Sequence, residues 1–182
     1  MAYTSSQVVQ AVPTGIQSAL VLISAGSVGT STTFSLPTAS FSATYLNYKL
    51  VFDNVRVATG AQNMLMRMRV SGTDNTASSY TATGFTVDSS GTYAALGNNA
   101  DGWRWGGAGT TEQTALSGIV YLYSPNVAQY TMFTSHTQGN NLGTVSSGRH
   151  EVSTAYDSVT IYGHTSNAFT AGTYRLYGMV DA

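Results

Sequence analysis

Three histidines, His136, His150 and His164, stand in this chain among many serines. A Ser–His–Asp relay needs its serine presented on a sharp turn, with N–H donors placed for an oxyanion. No G-x-S-x-G elbow occurs, and no serine carries an oxyanion-hole signature. The histidines therefore read as polar groups in loops or at the rim of a barrel. Glycoside hydrolysis needs two carboxylates on opposite sides of one bond. Glu112 and Glu151 are joined by Asp53, Asp74, Asp88, Asp101, Asp157 and Asp181, and nothing in their spacing sets such a pair.

Metal and phosphate chemistry fare no better. The chain has no cysteine, which removes thiolate sites and disulfides together. His150 and Glu151 would point to opposite faces of a strand, and His136 is too far from His150 for a short-spaced zinc motif. Met64, Met66 and Met68 recur at a period of two. A copper site would need further soft ligands beside them, whereas pliable core packing needs nothing more. Gly106-Gly107-Ala108-Gly109 lacks the preceding apolar strand and the Gly-Lys-Ser/Thr of a phosphate loop. No catalytic residue, metal site or cofactor is expected.

Binding chemistry is concentrated in 97–111. There Asn98, Asn99, Asp101, Trp103, Arg104 and Trp105 stand among glycines. On a strand the two indoles would share one face and Arg104 would take the other. Exposed aromatic rings can cover the apolar face of a sugar while amides and carboxylates bond its hydroxyls. The competing reading, which is the commoner fate of tryptophan, buries both rings in a core or a subunit interface. Function gathers on loops held by a rigid scaffold, so these six residues are the candidate ligand-binding set.

The scaffold must come from an unusual composition. Of 182 residues, 42% are hydrophobic and 11% aromatic, but only 8% are charged, against about 25% in ordinary soluble domains. The net charge is −1. Disorder of the charged, apolar-poor kind is thus excluded, and one folded domain fits the length. A weakly charged surface is a colloidal hazard for a free monomer, so burial of surface in an oligomer is expected. Nucleic acid would need a clustered basic footprint, which is missing. The longest apolar run, Ala19 to Ile23, is too short to insert in a bilayer. The opening Met-Ala-Tyr-Thr-Ser-Ser-Gln carries no secretory leader pattern, and synthesis in a cytoplasm is expected.

Period-two patterning dominates from residue 19 onward. In Tyr45–Val57, Leu46, Tyr48, Leu50 and Phe52 share a face, and Met64, Met66, Met68 and Val70 do so in Asn63–Val70. Further strands are expected at Ala19–Ser24, Thr30–Leu36, Ala115–Ser124, Gln129–Thr137, Thr144–Ser153, Tyr156–Gly163 and Thr173–Val180, with weaker ones at Tyr80–Val87 and Tyr93–Leu96. Turn signals at Pro125-Asn126, Gly139–Asn141 and Ser166-Asn167 separate most of them. The pattern predicts an all-β, jelly-roll-like antiparallel β-sandwich over 19–182, preceded by a short N-terminal arm, 1–18. Its core, or its subunit contacts, should include Tyr48, Leu50, Phe52, Met64, Met66, Val120, Leu122, Val159, Ile161 and Leu176.

The segments LVLISAGSVGTSTTFSLP, YLNYKLVFDNVRVATGAQNMLMRMRVSG, LSGIVYLYSPN and SVTIYGHTSNAFTAGTYRLYGM carry a resemblance. Together they are similar to small jelly-roll virion structural proteins of tailed bacteriophages, of the tail-appendage or capsid-decoration type. The resemblance spans about Leu20 to Met179 and thins across 71–114. It implies a non-enzymatic protein of the virion surface, with the arm as an attachment segment and other virion proteins as partners. It implies no catalytic residues. By analogy with trimeric phage ornaments, a homotrimer is expected. Two functions follow: a tail-fibre or tail-tip module that meets a host cell-surface glycan, or a capsid decoration or head-fibre protein that stabilises the head.

Overall fold

The computed structural model describes residues 19–96 and 101–180. The arm, 1–18, and the candidates Asn98 and Asn99 lie outside the described residues. Thirteen strands follow in chain order among the described residues: β1 (Leu20–Ser27), β2 (Thr33–Ser35), β3 (Asn47–Val57), β4 (Gln62–Val70), β5 (Thr73–Asp74), β6 (Tyr80–Asp88), β7 (Tyr93–Leu96), β8 (Trp103–Ala108), β9 (Leu116–Tyr123), β10 (Thr131–Gly139), β11 (Leu142–His150), β12 (Ser158–Gly163) and β13 (Phe169–Met179). A single 3-10 turn at Glu112–Thr114 precedes β9. No helix among the described residues is long and apolar enough to cross a membrane.

The molecule is an all-β antiparallel sandwich. One sheet has the order β1-β13-β3-β9-β10-β11-β6-β7, and the facing sheet runs β2-β12-β4-β5, with β8 also paired to β4. Eight strands make the roll. β1 pairs with β13, β2 with β12, β3 with β9 and β4 with β8, all antiparallel. This nesting of first with last is that of a long hairpin rolled into two sheets, the jelly-roll order. Val180 N–H donates to Ala19 O at 3.2 Å, so the two ends of the roll meet.

Two insertions widen the larger sheet. β10 and β11 are a hairpin laid beside β9, and β6 with β7 adds to the outer edge of β11. The hairpin turns through Asn140 and Asn141, at φ 51° and 61°, between the paired Gly139 and Leu142. Two positive φ values in a two-residue loop match the strand twist. Asparagine reaches that conformation more readily than most residues.

Alternation along the strands delivers the core. Tyr48, Leu50, Phe52, Met64, Met66, Val120, Leu122, Val159, Ile161 and Leu176 are all buried, as the period-two reading requires. Leu46 departs from its expected face and is exposed, because β3 begins one residue later. Leu65, expected opposite the Met stripe, is also buried. The Gly-rich stretch expected as a loop at 103–108 is instead strand β8.

Candidate ligand-binding pocket

β8 is the element that builds the site. Its register against β4 pairs Leu65 with Arg104 and Met64 with Gly106, so Trp105 is an extra residue, a bulge. Bulged residues leave backbone groups without ladder partners, and a buried carbonyl must find another donor. Here the Ser135 and Thr137 hydroxyls both donate to Trp105 O at 3.1 Å. The Ser146 hydroxyl donates to Arg104 O at 3.0 Å. These buried hydroxyls from β10 and β11 fix β8 against the inner face of the larger sheet. Gly106 permits the approach, since a Cβ there would lie 2.5 Å from Leu116 Cδ1.

Trp103 and Trp105 are wholly buried, which corrects their assignment as sugar-stacking residues. Trp105 stacks on Phe52 with centroids 4.6 Å apart, and Trp103 lies 4.7 Å from Phe133 and edge-on to Tyr80. Neither ring offers a face to a ligand. They are anchors of the core. Asp101 is held elsewhere. Its carbonyl accepts from the Tyr162 hydroxyl at 2.8 Å, and its carboxylate lies 3.9 Å from the Arg67 guanidinium, which itself sits 4.4 Å over the Tyr162 ring.

Of the described candidates, Arg104 borders a pocket. It lies at one end of the sandwich and encloses about 130 Å³. Gln62 and Asn63 from the start of β4, Thr86 from β6, Thr144 from β11, Asn140 from the hairpin turn, and His164 form its polar wall. Ala61, Leu142, Gly106, Gly107 and Thr165 complete it. No aspartate or glutamate among the described residues lines it. Among the described residues Arg104 has no carboxylate within ion-pairing distance, although Arg56, Arg67, Arg69 and Arg149 each have one. Its Nε is buried and makes no hydrogen bond. Burial also lowers the guanidinium's pKa from its ordinary value; arginine nonetheless keeps its charge in proteins.

Gln62 carries the second unsatisfied atom in the wall of this pocket. Its Oε1 accepts from Thr165 N–H at 3.1 Å, which fixes the amide's orientation. The opposite atom, Nε2, is buried without a partner. A half-buried cation and a buried amide donor thus meet in one small pocket, and both lack acceptors. Buried donors left unpaired cost stability, and two that line one pocket call for a partner such as a bound water, ion or ligand.

The buried histidine lies elsewhere. His150 is fully enclosed, which corrects its reading as a loop or rim residue. It stacks on Tyr80 with centroids 4.0 Å apart, and its ring nitrogens meet Ser79 Oγ at 3.1 Å and Tyr156 Oη at 2.7 Å. Asn75 Nδ2 donates to Tyr156 Oη at 2.8 Å, leaving the tyrosine proton for His150 Nε2. The Nδ1 proton then faces Ser79, so this nitrogen cannot take a proton from the serine. Desolvation holds the imidazole pKa down at about 4. The contact is a neutral structural network. His136 and His164 are exposed, and no group of three or more His, Asp or Glu among the described residues could hold a metal.

The pocket was only partly readable beforehand. Arg104 was in the candidate set, but Gln62, Asn63, Asn140 and His164 come from distant strand ends and turns. Comparison with family models, curated proteins and solved structures returned no match for this chain.

Proposed function

We propose that this chain is a non-enzymatic structural protein of a tailed-phage virion surface, acting as a tail-fibre or tail-tip module that recognises a host-surface glycan. The observation that carries the recognition reading is the end pocket, where Arg104 and Gln62 present donors that the protein does not satisfy. Such a pocket, built on a jelly roll whose core is tied down by two buried tryptophans, is a rigid receptor end. The phage context rests on the sequence resemblance.

Assembly as a homotrimer, alongside other virion proteins, belongs to the same reading. The outer face of the widened sheet exposes Phe85, Tyr93, Tyr123, Met132 and Val145. They fall in two groups, Tyr123 beside Met132 and Val145 beside Phe85 and Tyr93, with the row of Thr134, Ser147 and Thr83 between them. Isolated apolar residues on a surface are ordinary, but one sheet face carrying two such groups suits a partner. A second copy is the partner that fits, since a chain of net charge −1 meets little long-range repulsion from itself. Closed three-fold assembly would also cover the β7 edge of the sheet.

The test is competition. Purified chain added before phage should reduce adsorption to host cells in a dose-dependent way, and Arg104→Gln chain should not. No competition at saturating chain would sink the recognition reading. The exposed apolar face favours a second reading, a decoration or head-fibre protein seated on the capsid. Copy number separates the two: hundreds per particle would mean decoration, whereas a small multiple of three or six would mean a tail appendage.

A further inference from the structure

We propose that the Arg104 pocket binds the carboxylate of an acidic sugar, a uronate-type residue exposed on a surface glycan. This rests on reading the pocket as a recognition site and names what it recognises. Among the described residues the wall supplies donors to an oxyanion and no competing anion: Arg104 has no carboxylate partner there, and no aspartate or glutamate of them lines the cavity. Gln62 adds a buried N–H group whose direction is set by the Thr165 bond to its other end. A guanidinium fork matches a planar carboxylate geometrically. One positive charge balances one negative charge, whereas a phosphate monoester would bring close to two.

The rest of the wall suits a sugar ring. Asn63, Asn140, Thr86 and Thr144 each combine donor and acceptor capacity, which is what vicinal hydroxyls require. A cavity of about 130 Å³ is well below the roughly 300–1,000 Å³ of sites for drug-sized ligands. It accepts one terminal or branching residue and not a run of chain.

Full-length chain is titrated by calorimetry with sodium glucuronate, and in parallel with glucose, acetate and sulfate. Glucuronate should bind saturably near about millimolar, the range a ligand of this size reaches. Glucose and acetate should bind at least about ten-fold more weakly, because each lacks half of the recognised chemistry. Arg104→Gln should weaken glucuronate about ten- to hundred-fold, with its fold checked by circular dichroism. Gly107→Val provides a second variant that keeps Arg104. A Cβ there meets nothing closer than Gln62 O at 3.5 Å, so the added methyls enter the cavity and should block it.

Equal glucuronate binding by the unaltered chain and both variants overturns the assignment. So does glucose binding as well as glucuronate, or sulfate binding where glucuronate does not. Adsorption blocked equally by the unaltered and Arg104→Gln chains would sink the uronate pocket while leaving the recognition module standing. Glucuronate held in the pocket by a chain that never blocks adsorption would do the reverse.

Discussion

The Tyr156 hydroxyl stands 2.7 Å from Nε2 of His150, while Ser79 holds the opposite ring nitrogen at 3.1 Å. Tyr80 and Trp103 close over the ring, so a proton on this imidazole would be an unpaired buried charge. Folded His150 titrates at about 4, and an unfolded histidine titrates near about 6.5. Between those values only the unfolded chain takes up the proton. The stabilisation is therefore complete above about pH 6.5 and is lost as pH falls toward about 4. Urea unfolding should show a loss of roughly 2–3 kcal/mol over that window. A His150→Gln chain, which cannot titrate there, should show a flatter profile, and identical profiles would refute the assignment.

Core substitutions should act by cavity formation. Leu50→Ala and Ile161→Ala should each cost about 2–5 kcal/mol. Trp105→Ala, which removes the ring stacked on Phe52, should cost about 3–5 kcal/mol. Thermal melts check all three. Trp105→Ala at unchanged melting temperature, with sugar binding abolished, would restore this ring as a binding surface.

Gly139 sits where the β10–β11 hairpin meets β8. A Cβ there would fall 2.2 Å from Gly107 O and 2.8 Å from Leu116 Cα. Both obstacles are backbone, so neither can swing aside. Gly139→Ala should destabilise by about 1–3 kcal/mol and loosen the pocket through Asn140. Denaturant midpoints measure the first effect, and glucuronate affinity measures the second.

Met132 lies on the outer face of β10 and is exposed. If that face joins copies in a homotrimer, Met132→Lys places a charge at each contact and should shift sedimentation from trimer to monomer. Its melting temperature in the monomeric state should hardly move, because an exposed side chain contributes within about 0.5 kcal/mol. A monomer before substitution, at micromolar concentration, would end the trimer proposal.

Much of the fold was legible because strand alternation is a local signal. The period-two runs through Tyr48, Leu50 and Phe52, and through Met64, Met66 and Met68, became buried faces of β3 and β4. β8 was hidden because its bulge at Trp105 breaks the alternation, and Gly106, Gly107 and Gly109 read as loop punctuation. Those glycines answer to packing: Gly106 to Leu116 and Gly109 to Thr114. The burial of His150 was hidden too, since Ser79 reaches it from 71 residues away. Pocket residues such as Gln62 and Asn140 meet only once the roll has closed, and no spacing in the sequence records that.

The bond between Val180 and Ala19 has a mechanical side. Both residues sit at the same end of the β1–β13 pair, whose hydrogen bonds run perpendicular to the strands. A pull that separates these two points loads the bonds singly, and the pair peels open like a zip. A pull between Ala19 and the far hairpin turn at Asn140–Asn141 is instead carried across several strands at once. A particle that tethers this domain at one end and strikes its target with the pocket end would load it along the second path, the stronger of the two.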